Sequence, residues 1–370
     1  MKRPPARHLL FSAAGIALRV LLVAAVVVGV TAALAALARV SPALAVRSLL
    51  TGAFGDPFDG SPSLAYAWSG TLRNATPILL TGLAVAWAFR GGLFNIGAEG
   101  QLLWGAMAAA WVGHKLALPA ALHLPAALLA GGLAGALWAW PAALLKTRRG
   151  VSEVVTTLLL NWVALHLTAW LASGPLHDPA QQAPRTAAVK ATAVLPALGS
   201  SHLHAGLLVG LALAVVLALV LARHRFGFQL RMIGQNPEAC RSAGIRVDRV
   251  WTAALLQSGA LAGLAGAVEV LAVHSYFQVG FSPGYGYDGI AVAILGASHP
   301  AGVAAAAVFW GGLANGAVEM EADTQLSRHL VSILQALVIL TAAVRAWPSL
   351  RRKVLVPAPT TAPEAPSNSG

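Results

Sequence analysis

The chain has 370 residues, of which 57% are hydrophobic and 10% charged, and its formal net charge is +12. An ordinary soluble domain carries roughly 25% charged residues, so this composition excludes a soluble globular fold, a disordered chain and a collagen-like repeat, and makes lipid the main solvent. A single cysteine, Cys240, excludes an internal disulfide framework and a thiolate metal cluster.

A bilayer core takes about 20 mostly apolar residues per helix. In chain order, such stretches are predicted at 17–38, 72–90, 93–113, 117–145, 151–172, 205–222, 250–273, 302–319 and 329–346. Met1–Arg7 ahead of the first one resembles the start of a signal peptide. The apolar run is span-length, however, and reads as an uncleaved first helix. One further segment, 289–298, is too short to cross alone and is expected to be a half-helix or re-entrant segment. The predicted fold class is therefore all-α: a polytopic membrane helical bundle of about 8–10 membrane segments. Residues 1–16 form a short cytoplasmic segment and 17–350 the transmembrane domain. Residues 351–370, with Pro357, Pro359, Pro363 and Pro366, form a disordered cytoplasmic tail. Between spans, 39–71 and 173–204 read as outer loops, and 223–249 as an inner loop carrying six arginines.

With the N-terminus inside, seventeen of the 25 lysines and arginines fall on the inner side and seven on the outer. That bias places both termini in the cytoplasm and accounts for the net charge without a nucleic-acid partner. The basic residues flank spans and form no aromatic-interleaved patch, so nucleic-acid binding is not expected.

No lysine follows a glycine, so the chain has no P-loop and any ATP chemistry belongs to a partner. Gly284-Tyr-Gly286-Tyr-Asp-Gly289 matches a dinucleotide fingerprint in letters only, because no strand is expected before it. It reads instead as the flexible entry to a broken helix, with Asp288 capping a segment that starts at Gly289. No zinc-protease or nucleophile-elbow pattern is present. His202 and His204 read as members of a solvated outer loop rather than as metal ligands. No cofactor, metal or catalytic residue is expected. Small residues four apart at Gly131/Gly135, Gly206/Gly210, Gly259/Gly263 and Gly312/Gly316 read as close helix packing.

The informative residues are polar ones at membrane depth. A charge at mid-bilayer costs about 2.5–3.5 kcal/mol on insertion scales, so such groups should face protein or water. Asn95, Glu99 and Gln101 lie at the entry of the third span. Glu153 and Asn161, eight apart, share a helix face. With Asp288 they are the candidate substrate-pathway residues, against the alternative of hydrogen bonds that simply fix the bundle. Glu269, His274, Asn315 and Glu319 are further polar groups at this depth. In the inner loop, Asn236-Pro237-Glu238 reads as a helix start and Gly244 as its stop. A short, capped cytoplasmic helix between two spans is what a permease needs to receive a push from a motor.

GLFNIGAEGQ (Gly92–Gln101), GVSEVVTTLLLNWVA (Gly150–Ala164), RFGFQLRMIGQNPEACRSAGI (Arg225–Ile245) and GYDGIAVAILGASHPAGV (Gly286–Val303) together carry a resemblance. From about Pro42 to Leu350 the chain resembles the permease subunit of bacterial ABC importers, in the nucleoside branch served by basic-membrane-protein-type lipoprotein receptors. The resemblance implies a second, homologous permease subunit, a cytoplasmic ABC ATPase and an extracytoplasmic substrate-binding lipoprotein, in a bacterial plasma membrane. It also implies that Gly234, Asn236, Glu238, Ala239, Gly244 and Ile245 belong to the helix that docks on the ATPase. The competing readings are a permease for a simple sugar or other small polar solute, a secondary transporter using Glu99 or Asp288 for H⁺ or Na⁺, and a membrane enzyme. A short echo, Gly82-Leu-Ala-Val-Ala86 against Gly289-Ile-Ala-Val-Ala293, is consistent with a repeated architecture.

Overall fold

In the computed structural model, residues 23–57, 63–199 and 202–340 are described. The cytoplasmic N-terminal segment and the tail expected at 351–370 lie outside them.

The described residues form helices and only isolated β-bridges, with no sheet. They run α1 (Val23–Leu37), α2 (Pro42–Phe54), α3 (Leu64–Arg90), α4 (Ala98–Lys115), α5 (Ala120–Arg149), α6 (Glu153–Ser173), α7 (Gly206–Arg223), α8 (Arg225–Ile233), α9 (Pro237–Ser242), α10 (Val247–Glu269), α11 (Tyr285–Leu295), α12 (Pro300–Thr324) and α13 (Leu330–Leu340). Six of these are long and apolar enough to cross a membrane: α3, α5, α6, α7, α12 and α10 with its π-helical extension Val270–His274. The chain is an all-α polytopic membrane bundle.

Local chemistry sets the ends. Ser41 and Ser63 accept the amides of Leu44 and Tyr66 to cap α2 and α3. Pro77 sits inside α3, and the Thr81 hydroxyl donates to its carbonyl at 3.0 Å. Gly150, at φ +66°, closes α5.

Helices α3 and α10 form the centre, with 78% and 67% of their most apolar stretches buried, whereas α6 and α7 bury only 22% and 28%. The seam between α5 and α10 is built from the expected small residues. A Cβ on Gly135 would overlap the Gly259 carbonyl, and one on Gly263 would overlap that of Gly131. Two glycines not singled out in the sequence extend the seam to α4, since Gly105 abuts Gly263 and Gly266 abuts the Leu102 carbonyl. In lipid, backbone approach of this kind supplies the packing attraction that the hydrophobic effect cannot. The two GxAVA segments pack against each other, with Gly82 facing Val292 and Gly289 facing Thr81.

Several expectations need correction. Residues 39–71 are not simply a loop, because α2 lies in them and α3 begins at Leu64. Ser48 Oγ donates to Asp323, Gly316 abuts Leu49 and Gly312 lies beside Ala53, so α2 runs antiparallel to α12 from its end to its middle. It ends at Gly55, φ +87°. Its length, 13 residues, is too short for the span rule to register. The inner loop 223–249 contains α8 as well as α9. The third span starts at Ala98, after a non-helical turn, rather than at 93. Helix α11 starts at Tyr285 after a left-handed Gly284, so Asp288 lies in its first turn and does not cap it. His204 is not solvated: it is 3% exposed, and neither ring nitrogen has a partner among the described residues.

Candidate functional site

The turn between α3 and α4, residues 91–97, is where most of the candidate pathway residues converge. Asn95 is fully buried. Its amide nitrogen donates to Gln101 Oε1 at 2.9 Å and to Ser258 Oγ at 2.8 Å, and its oxygen accepts from Gly97 N at 3.0 Å and Gln101 Nε2 at 3.2 Å. Ser258, on α10, in turn donates its hydroxyl to the Ala84 carbonyl of α3 at 2.6 Å. The turn is thus tied to α3, α4 and α10 through one amide.

Helix α6 grips the same turn from the other side. Glu153 accepts from Phe94 N at 3.3 Å and pairs with Lys146 Nζ at 2.7 Å. Thr157 accepts from Ile96 N at 3.2 Å. Asn161 accepts from Gly100 N at 2.9 Å and donates to the Ile96 carbonyl at 2.9 Å and to Tyr287 Oη at 3.3 Å. The eight-residue spacing of Glu153 and Asn161 does define one face, and Thr157, midway between them, completes it. That signal was in the sequence, because residues four apart on a helix are neighbours.

Glu99 links this turn to the half-helix α11. Its Oε2 accepts the Gly286 amide at 2.7 Å, and the backbones pass so closely that a Cβ on Gly286 would overlap Glu99. A carboxylate at a helix N-terminus satisfies an orphan amide and opposes the macrodipole. Ser282 accepts from Gly284 N and Tyr285 N, completing the start of α11. Asp288 is half-buried one turn further on. Five of the six candidate residues therefore converge where α3, α4, α6, α10 and α11 meet, and Asp288 lies one turn further along α11. Those five are buried and spend polar atoms on protein partners.

In the 223–249 segment, Asn236 Oδ1 accepts from Ala239 N at 3.0 Å, and Pro237 holds the first helical position of α9. Gly244, φ +80°, ends it with Ile245 N bonded to the Cys240 carbonyl at 2.9 Å. Glu238 is exposed and paired with Arg241, while Cys240 is buried with Leu230 and Ile233. The neighbours of this helix reach the turn described above. Gly234 abuts the Arg90 carbonyl, Leu230 covers Gly91, and Trp251 Nε1 donates to the Gly91 carbonyl at 2.9 Å. Among the described residues no group of His, Cys, Asp and Glu is arranged to hold a metal ion.

The family model for "Branched-chain amino acid transport system / permease component" matches residues 68–343. The chain is 40% identical over 307 residues to the guanosine ABC transporter permease protein NupP of Bacillus subtilis, covering 82% of this chain and 86% of that one. It is 38% identical over 299 residues to the glucose ABC transporter permease protein TsgB13 of Haloferax volcanii, covering 78% and 79%. It is 29% identical over 286 residues to the nucleoside ABC transporter permease protein NupB of Lactococcus lactis, covering 74% and 78%.

Proposed function

The chain belongs to the family of branched-chain amino acid transport system permease components, transport subunits of ABC importers rather than enzymes, and from that premise we propose that it forms half of the translocation pathway of an ATP-driven nucleoside importer. The observation that carries the nucleoside reading is the 40% identity, over most of both chains, to a permease named for guanosine. A simple-sugar reading is favoured by the 38% identity to a permease named for glucose.

In this reading the remaining half comes from a homologous permease subunit, the energy from a cytoplasmic ABC ATPase, and the substrate from an extracytoplasmic lipoprotein. The membrane is the bacterial plasma membrane, with both termini and the 223–249 loop inside. Helix α9, with Gly234, Asn236, Glu238, Ala239, Gly244 and Ile245, docks on the ATPase. Movement of α9 passes through Gly234 and Leu230 to the Arg90–Gly92 backbone, and from there to the turn held by Asn95, Gln101, Glu153 and Asn161. Glu99 carries it to α11, so the substrate path beside Asp288 opens and closes with the nucleotide state. A secondary transporter has no use for a capped helix so connected.

Reconstitution with the ATPase, partner permease and receptor, followed by uptake of labelled guanosine and labelled glucose, tests the substrate. ATP-dependent guanosine uptake with no glucose uptake is expected; the converse selects the sugar reading. Uptake that follows a proton or sodium gradient without ATP would overturn both. Glu238→Arg and Gly244→Val test the coupling helix. The first opposes the helix dipole by only about 0.3–1 kcal/mol, and the second puts a β-branched residue at positive φ. Both should leave the bundle folded and abolish ATP-driven uptake. Wild-type uptake with the ATPase still bound would exclude α9 as the docking element.

A further inference from the structure

A second group of polar side chains lies toward the outer end of the bundle, where α3, α10 and the extended segment after His274 meet. It surrounds a cavity of about 270 Å³ lined by Arg73, Asn74, Glu269, His274, Phe281 and Tyr285 among others. Glu269 is 3% exposed, yet its nearest polar partner is His274 Nε2 at 3.8 Å. Among the described residues, the side chains of Arg73 and Asn74 make no hydrogen bond with the protein, and Arg73 acts on Glu269 electrostatically across the same void without a contact ion pair. Buried polar groups are nearly always satisfied, and an ionisable group at membrane depth without a protein partner marks a place where something else supplies one. The walls differ from the ends: Phe281 is buried and set edge-on to both His274 and Phe277, and Tyr285 closes the inner side at the start of α11.

We propose that this cavity is a substrate site on the transport path that takes the base of a purine nucleoside, with Glu269 accepting from its N–H groups and Arg73 and Asn74 donating to its ring acceptors. The proposal rests on the nucleoside reading and adds to it a site and a preference. Pockets for whole drug-sized ligands run from about 300 Å³ upward, so the cavity suits a single ring system, with the ribose left at its mouth. A flat heteroaromatic ring matches apolar walls with polar ends. Guanine carries O6 and N7 acceptors on one edge and an N2 amine donor on the other. A guanidinium and a carboxylate across one void are complementary to that distribution. Adenine, with an amine in place of O6, leaves the guanidinium less well matched.

The test is ATP-driven uptake by the complete reconstituted importer, with receptor saturated in turn by guanosine, inosine and adenosine, so that Vmax reports the permease step. Inosine differs from guanosine only by lacking the 2-amine. The wild-type chain should move guanosine fastest. Glu269→Gln should lower the guanosine Vmax about tenfold, as expected for loss of a bidentate contact, and change the inosine Vmax less than twofold. Arg73→Gln should lower both guanosine and inosine, which share O6 and N7, more than adenosine. Both variants should assemble with the ATPase and partner permease in wild-type yield, which separates a substrate contact from a folding defect. If the wild type imports nucleosides but the three rates fall together or not at all in Glu269→Gln, the site assignment is overturned and the nucleoside reading stands. If the wild type imports glucose and no nucleoside, both are overturned.

Discussion

The 91–101 turn and the Arg73–Glu269 cavity both place amides and carboxylates inside an apolar bundle, and they treat them in opposite ways. Around Asn95 and Asn161, donors and acceptors are matched across five helices, and the backbone amides of Phe94, Ile96, Gly97 and Gly100 are all satisfied by side chains. Around Glu269 the donors and acceptors are present but face a void. A matched network in a low-dielectric interior fixes geometry, while an unmatched one remains available to a ligand. Polarity at membrane depth is therefore not one signal. In this chain polar groups at one level are matched by protein partners, and at another they face a cavity.

The contrast is testable through stability. Asn95→Leu should have the largest effect, because it strands Gln101, Ser258 and the Gly97 amide, each a buried group worth about 1–3 kcal/mol when unsatisfied. Thermal unfolding of detergent-solubilised protein, followed by tryptophan fluorescence, should show a loss of about 3 kcal/mol or more, and little folded protein is expected. A shift of only a degree or two would mean that the turn is held mainly by packing.

Gly263→Leu comes next. It tests whether close helix approach rather than polar matching dominates, since its side chain must displace the Gly131 and Gly135 backbones of α5. Overpacking of this kind costs about 1–3 kcal/mol. A loss larger than that of Asn95→Leu would invert the ranking of the two devices.

Glu269→Gln should leave the melting temperature unchanged or raise it, because it removes a poorly compensated buried carboxylate. A fall comparable to that of Asn95→Leu would make the cavity residues structural and erase the distinction.

The smallest effect concerns His204, in the segment just before α7. Burial, and to a lesser extent the Arg73 charge, lower its pKa from 6.5 to about 4. The unfolded chain then binds the proton more readily than the folded one. The contribution of the neutral ring is fully present above about pH 6.5 and is lost as pH falls toward 4. His204→Phe should flatten stability across that window without altering it at pH 8. An identical acid profile in the variant would show that His204 does not titrate on unfolding.

The sequence by itself determined the solvent, the approximate position of most spans and the capped helix, read at 237–243 and found at Pro237–Ser242. These follow from composition, a 20-residue length scale and interactions within about four residues. Asn236 reaches an amide three residues on, and Gly244 supplies a left-handed turn wherever the helix sits. The candidate site was legible as a set of residues, since polarity inside an apolar run is conspicuous, but the roles of those residues were not. Only the tertiary structure decided that Asn161 meets Gly100, 61 positions away, or that Glu99, rather than Asp288, serves the start of α11 from 187 positions away. It likewise decided that Arg73, a span-flanking cation by sequence, faces a cavity with Glu269. Helix α2 escaped because 13 residues register with neither the span rule nor a loop signature. Partner choice between helices depends on which backbones approach closely. Here that is set by glycines on α4, α5 and α10 acting together, and no window along one segment contains all three faces.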